Sequence, residues 1–348
     1  MFYRKKKIVS IMIASAIAGM GAVPVSAYAM TRQQAVYIIN QRNAYQKIDK
    51  QVTQKYNDGI NSYKTGNYAD CIGNLSINRV AAKYQRTNDY NIAIGDSYYK
   101  LGKYKQAIPY LKRAYNTGAS NNAIVNVDIG MSFYKLNLYD SAIPFLKKGI
   151  NANIANANTF WALADSYGKA GNQDEMINIL ECLISRFPNY KKDAYTALAS
   201  GYTNKGLIKQ GLSISLKGIQ YFQNDADILY WVGHAYYLDG KFDKAIPYLE
   251  KSNEILQNNI DTLYDLGSSY MNLGRLDEAS ACVDSMMVIN KSHIKTQELF
   301  KAVSQKAAQK QAEQQMQIDM INQSMQASQE AASIGTEQAA NIGMGLFK

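Results

Sequence analysis

The stretch NDYNIAIGDSYYKLGKYKQAIPYLKRA, Asn88 to Ala114, decides the fold of this chain. It reads as two short helices folded back on each other. Ile94, Tyr98 and Leu101 recur at the i, i+4, i+7 spacing of one helical face. Gly102 ends the first helix, because glycine adopts positive φ there without a Cβ penalty. Tyr104, Ala107, Ile108, Leu111, Ala114 and Tyr115 then restart the helical period. Gly95 and Ala107 are small where the two helices must touch, and a larger side chain there predicts overpacking of roughly 1–3 kcal/mol. A single hairpin of this kind cannot bury its own apolar face, so copies must stack beside it.

Copies are present. The small residue of the first helix recurs as Gly59, Gly95, Gly130, Ala164, Ala199, Gly233 and Gly267, in steps of 34 to 36 residues. The terminating glycine recurs as Gly66, Gly102, Gly171, Gly206, Gly240 and Gly274, with Asn137 in the third copy. The small residue of the second helix recurs as Ala107, Ala142, Gly211, Ala245 and Ala279, with Cys71 and Met176 in the other two copies. An aromatic slot follows the first-helix marker as Tyr98, Phe133, Tyr167, Tyr202, Tyr236 and Tyr270, while the first copy has Ser62.

This period and residue set resemble the tetratricopeptide repeat (TPR) family over about Val52 to His293, in seven copies. The resemblance implies an all-α fold, a right-handed superhelical solenoid of antiparallel helix pairs whose first helices line a concave groove. The family's closing proline occurs only as Pro188, and Gly211 and Gly218 mark the second helix of the fifth copy as the loosest. Pro109, Pro144 and Pro247, each in Ala-Ile-Pro, lie about one turn into a second helix and predict local curvature.

Outside the repeats, residues 1–29 read as a signal peptide. Arg4 to Lys7 are positive, Ile8–Val23 is apolar, and Ala27-Tyr28-Ala29 gives a small-x-small cleavage site. The expectation is an exported chain, periplasmic or extracellular, with an uncleaved inner-membrane anchor as the alternative. Residues 30–51 form an N-terminal helix opened by Thr31, and 52–293 form the solenoid. Residues 294–330 form a capping helix followed by a polar one, in which 9 of the 25 residues from Gln305 to Gln329 are glutamine. Residues 331–348 are expected to be disordered.

Little in the chain points to catalysis. There are two histidines, in different repeats, and no nucleophile–base set or phosphate-cradling loop. Cys71, Cys182 and Cys282 lie in the first, fourth and seventh copies, too far apart for a disulfide or a shared metal. Cys71 stands in a small-residue slot, which predicts a buried thiol. The reading is a non-catalytic protein with no cofactor and no metal.

The first-helix groove holds the binding candidates. Tyr63-Lys64, Tyr99-Lys100, Tyr134-Lys135 and, without the tyrosine, Lys169 repeat at one slot. They form either a ladder for an extended, acidic peptide or a solvated face. Trp161, Tyr230, Trp231, His234, Tyr237 and Tyr264 form a second, aromatic group of interface type. The lysine and asparagine side chains with which relatives grip a chain-terminal carboxylate are missing, since those positions hold Tyr56, Ile92 and Val127.

Charge is uneven. Residues 30–122 hold 14 Lys+Arg against 5 Asp+Glu, while 123–293 hold 15 against 18. The function expected is a protein-interaction scaffold of the bacterial cell envelope, binding a protein or peptide through the groove. The alternative is an adaptor whose basic N-terminal end meets a membrane surface or an acidic glycan. Nucleic acid is not an expected partner of an exported protein.

Overall fold

Each first helix of a repeat stops at a residue with positive φ: Gly66 (80°), Gly102 (72°), Asn137 (58°), Gly171 (79°), Gly206 (74°), Gly240 (71°) and Gly274 (77°). Around Gly102, its own N–H donates to the Tyr99 carbonyl and the Lys103 N–H to the Tyr98 carbonyl, both at 2.9 Å. Two orphan carbonyls of the last turn are thereby satisfied while the chain reverses. The same pair of bonds recurs at the other six positions. The repeated glycine is therefore a backbone requirement. Gly102→Ala meets nothing within 4 Å, yet it places a side chain in the left-handed region and is expected to cost roughly 1–2 kcal/mol. Gly73, also in open space but with ordinary φ inside a helix, is the control. Gly73→Ala is expected to be neutral or stabilising in the same denaturant titration.

The computed structural model describes residues 32–151 and 156–345, with side chains described from 33 to 332. Residues 1–29, expected to be a signal peptide, lie outside that range. Among the described residues every element is helical, and the chain divides into two units between Asn172 and Gln173. Unit one contains α1 (Arg32–Lys64), α2 (Tyr68–Leu75), α3 (Asn78–Tyr84), α4 (Asn88–Lys100), α5 (Tyr104–Ala114), α6 (Ala123–Lys135), α7 (Tyr139–Asn151) and α8 (Ala157–Lys169). Unit two contains α9 (Gln173–Arg186), α10 (Lys192–Asn204), α11 (Ile208–Tyr221), α12 (Ala226–Leu238), α13 (Phe242–Ile255), α14 (Ile260–Asn272), α15 (Leu276–Asn290) and α16 (Ile294–Gly345).

Packing within a repeat follows the small-residue markers. A Cβ on Gly95 would lie 2.8 Å from the Leu111 side chain, one on Gly130 2.7 Å from Leu146, and one on Gly233 2.5 Å from Leu249. All three leucines are fully buried. Next to this contact the aromatic slot stacks on the residue after the internal proline. Tyr98 meets Tyr110 at 5.8 Å, Phe133 meets Phe145 at 5.9 Å, and Tyr236 meets Tyr248 at 5.9 Å. The second helices run on through Pro109, Pro144 and Pro247.

Several expectations need correction. The N-terminal helix expected at 30–51 and the first helix of the solenoid are one element, α1, because no glycine or proline interrupts Arg32 to Asp58. Leu101, read as the last residue of an apolar face, is the C-cap of α4 and is exposed. The fifth repeat is not loose at its glycines. A Cβ on Gly211 would lie 2.9 Å from Thr203, and one on Gly218 3.2 Å from Ile228, so both permit close approach. The expected disordered tail continues as α16 to Gly345, and that backbone is one helix from Ile294. It contains no proline and is rich in Ala, Gln, Glu and Met, which favour helix. Its first turns cap the last repeat through buried Leu299 and Val303, as a solenoid end requires.

A candidate protein-interaction face on the first helices

One face of each first helix carries the residues three places before the small marker, one place after it and four places after it. Helical geometry puts these i, i+4, i+7 positions in line. The Tyr ladder occupies the last of these, and the hydroxyl of Tyr134 ties its repeat to the next. In unit one Tyr134 on α6 donates to Asp165 Oδ2 on α8 at 2.9 Å and accepts from the Trp161 indole N–H. Tyr63 on α1 lies close enough to Asp96 on α4 for that carboxylate to act on it. Burial, with the neighbouring carboxylates second, pushes Tyr99 and Tyr134 up to about 12 and raises Tyr63. These phenols stay neutral donors.

The lysines behave differently. Lys64, Lys100, Lys135 and Lys169 sit in the last turn of α1, α4, α6 and α8, where a cation complements the carbonyl end of the helix. All four are exposed. Lys100 Nζ lies 5.3 Å from the Tyr99 ring and 3.7 Å from Asp96 Oδ1, and Lys135 Nζ lies 5.8 Å from the Tyr134 ring. The ladder is thus a half-buried aromatic row with a charged rim beside it.

The aromatic group expected around Trp161 is split between the units. Trp161 belongs with Tyr134 in unit one, because it stands three places before its own marker, Ala164. The rest assemble in unit two. His234 on α12 donates from Nδ1 to Asp265 Oδ2 on α14 at 2.6 Å. Tyr230 stacks on the imidazole at 5.3 Å, and Trp231 meets it edge-on at 5.3 Å. Tyr237 lies 6.5 Å from the same ring. Lys295, from α16, lies 5.2 Å over Tyr264 and pairs with Asp261 at 2.7 Å. Burial raises the pKa of Asp265, and His234 opposes that rise.

Several aspartates also fall in register. Asp96 and Asp165 share the slot one place after the marker, and Asp128 and Asp265 share the slot two places before it. The partner of Asp265 is His234, but at the matching place in unit one Asp128 faces Asp96, a second carboxyl. Both are nearly inaccessible, and one oxygen of each lacks a hydrogen-bond partner. Burial and then the Asp96 charge push Asp128 up to about 8. The register counting that found the tyrosines would also have found these residues.

Cys71 and Cys282 are buried and Cys182 is exposed, all three as free thiols. Among the described residues no three His, Cys, Asp or Glu side chains are grouped to hold a metal, and no helix is long and apolar enough to cross a membrane.

Comparison with known proteins bears on this geometry. Tetratricopeptide-repeat family models match residues 92–157 and 159–190. A model described as anaphase-promoting complex, cyclosome, subunit 3 matches 205–286. The chain is a tetratricopeptide-repeat protein. Like that family it is a non-catalytic, protein-interaction scaffold. No curated protein matches it. Among solved structures, MamA is 24% identical, over 49% of this chain and 92% of MamA, with a TM-score of 0.43. YrrB, titled a TPR protein with an unusual peptide-binding site, is 17% identical, over 53% of this chain and 95% of YrrB, with a TM-score of 0.47.

Proposed function

We propose that the first-helix face of this TPR scaffold binds an extended segment of a partner protein. The observation that supports this most is the repetition of half-buried Tyr63, Tyr99 and Tyr134 beside exposed Lys64, Lys100 and Lys135, with Lys169 continuing the rim. An ordered row of aromatic edges gives a peptide low-entropy contact area. The lysine rim favours an acidic segment. In unit two, Tyr230, Trp231, His234, Tyr237 and Tyr264 supply the corresponding aromatic surface.

Each exposed charge pair contributes only about 0.2–1 kcal/mol, so the rim acts as a set. Replacing Lys64, Lys100, Lys135 and Lys169 together by glutamine is expected to weaken an acidic peptide selected from a random library by roughly 1–4 kcal/mol. The melting temperature should hardly move, since these side chains are solvated. Titration calorimetry on the variant reads the first quantity and a thermal melt the second. Unchanged affinity would reduce the rim to a solvated face.

The proposal also places the scaffold in a bacterial cell envelope, on the pattern of residues 1–29. N-terminal sequencing of the chain from its native host should then begin at Met30 or close by. Recovery of Met1 would favour an uncleaved anchor.

A further inference from the structure

Two irregular junctions of unit one meet at a cleft away from the first-helix face. The first is the break of the first repeat's second helix into α2 and α3, with the loop that follows α3. The second is a π-turn, Tyr115–Ala119, that prolongs α5 and contains Gly118 at φ 123°. They are tied to each other. Thr117 Oγ1 donates to Asn88 Oδ1 at 2.6 Å, and Asn88 Nδ2 donates to the Thr117 carbonyl at 3.4 Å. Stacking of repeats does not need either irregularity, since the junctions leading into α12 and α14 are closed by simple side-chain caps, Asp225 and Asn259.

Between them lies a space of about 460 Å³ lined by Gln85, Arg86, Arg113 and Thr117. Among the described residues neither guanidinium pairs with a carboxylate. Arg113 is steadied instead by the Tyr110 ring, 5.8 Å away. Residues 78–118 hold eight Lys+Arg and only two Asp+Glu. Neither acid forms an ion pair with the cleft arginines: Asp96 is buried on the first-helix face beside Lys100, and Asp89 pairs with neither guanidinium. The cleft therefore presents two unneutralised positive charges, with the Gln85 amide as a neutral donor beside them.

We propose that this cleft binds a phosphate group. Two guanidinium forks match the paired oxygens of a phosphate, which Arg holds with two parallel hydrogen bonds. Two positive charges also balance the roughly −2 charge of a phosphate monoester near neutral pH. The group comes either from a lipid headgroup or from a soluble phosphate, and the tests separate the two sources.

The full chain is melted at constant ionic strength while inorganic phosphate replaces chloride. A saturable rise in melting temperature is expected for the wild type and for Arg79→Gln, an exposed arginine outside the cleft. The double variant Arg86→Gln/Arg113→Gln should melt like wild type without phosphate and lose the rise. A second arm floats the protein with phosphatidylcholine vesicles containing phosphatidic acid. Flotation that needs both arginines and is competed by phosphate assigns the headgroup. A phosphate-dependent rise without flotation assigns a soluble source. Equal responses of wild type and double variant, or no response in either arm, would overturn the proposal.

Discussion

Gly233→Leu is expected to lower the stability of the chain by roughly 1–3 kcal/mol, read as a fall in melting temperature. The reason is local and severe. Even the first added carbon would lie 2.5 Å from Leu249 Cγ and 3.2 Å from the Ala245 carbonyl oxygen. Leu249 is fully buried on α13 and cannot move aside. The carbonyl belongs to the helix itself, so relief requires α12 and α13 to separate and to give up the core contacts between them. The small residue is thus the point that sets how closely a hairpin closes. An unchanged melt for Gly233→Leu would mean that the repeats pack in another register.

The second large effect is on pH dependence. Asp128 is held up at about 8 by burial and by Asp96, far above an unfolded carboxyl. Between about pH 4 and pH 8 the folded chain therefore keeps a proton that the unfolded chain has released. Stability must fall as pH rises through that window, and the penalty is complete above it. Lys100 is the nearby cation that limits the penalty. Each unit of displacement corresponds to ~1.4 kcal/mol, so the total is on the order of a few kcal/mol. Asp128→Asn should flatten the decline and leave the variant more stable than wild type at pH 8. Denaturant titrations at pH 5, 6.5 and 8 measure this, and parallel wild-type and variant curves would contradict it. Unit two has a histidine–carboxyl hydrogen bond, His234–Asp265, at the matching place, so the carboxyl pair is particular to α4 and α6.

What the sequence made legible depended on how local each cause is. Gly66, Gly102 and their repeats could be found because a left-handed backbone residue writes its need directly as glycine, or as asparagine at 137. The small markers were legible for the same reason, since contact distance sets side-chain size. The continuity of α1 was not legible, because a sparse apolar face from Ala35 to Ile48 gave no sign of where a helix joins a repeat. The candidate site was half legible. The tyrosines showed in register, but the Tyr134–Asp165 bond depends on which residue the neighbouring repeat brings opposite. The arginine cleft was hidden entirely, since Arg86 and Arg113 line one space only where the second helix breaks into α2 and α3 and the π-turn prolongs α5.

The most direct test of the scaffold account compares two charge-matched variants against one acidic peptide, selected from a random library on the wild-type chain. In one, Lys64, Lys100, Lys135 and Lys169 on the first helices become glutamine. In the other, exposed Lys105, Lys112, Lys147 and Lys244 on the second helices do. Calorimetric titration should show affinity lost in the first variant and retained in the second. Equal affinities in the two, whether both retained or both reduced, would contradict binding at the first-helix face.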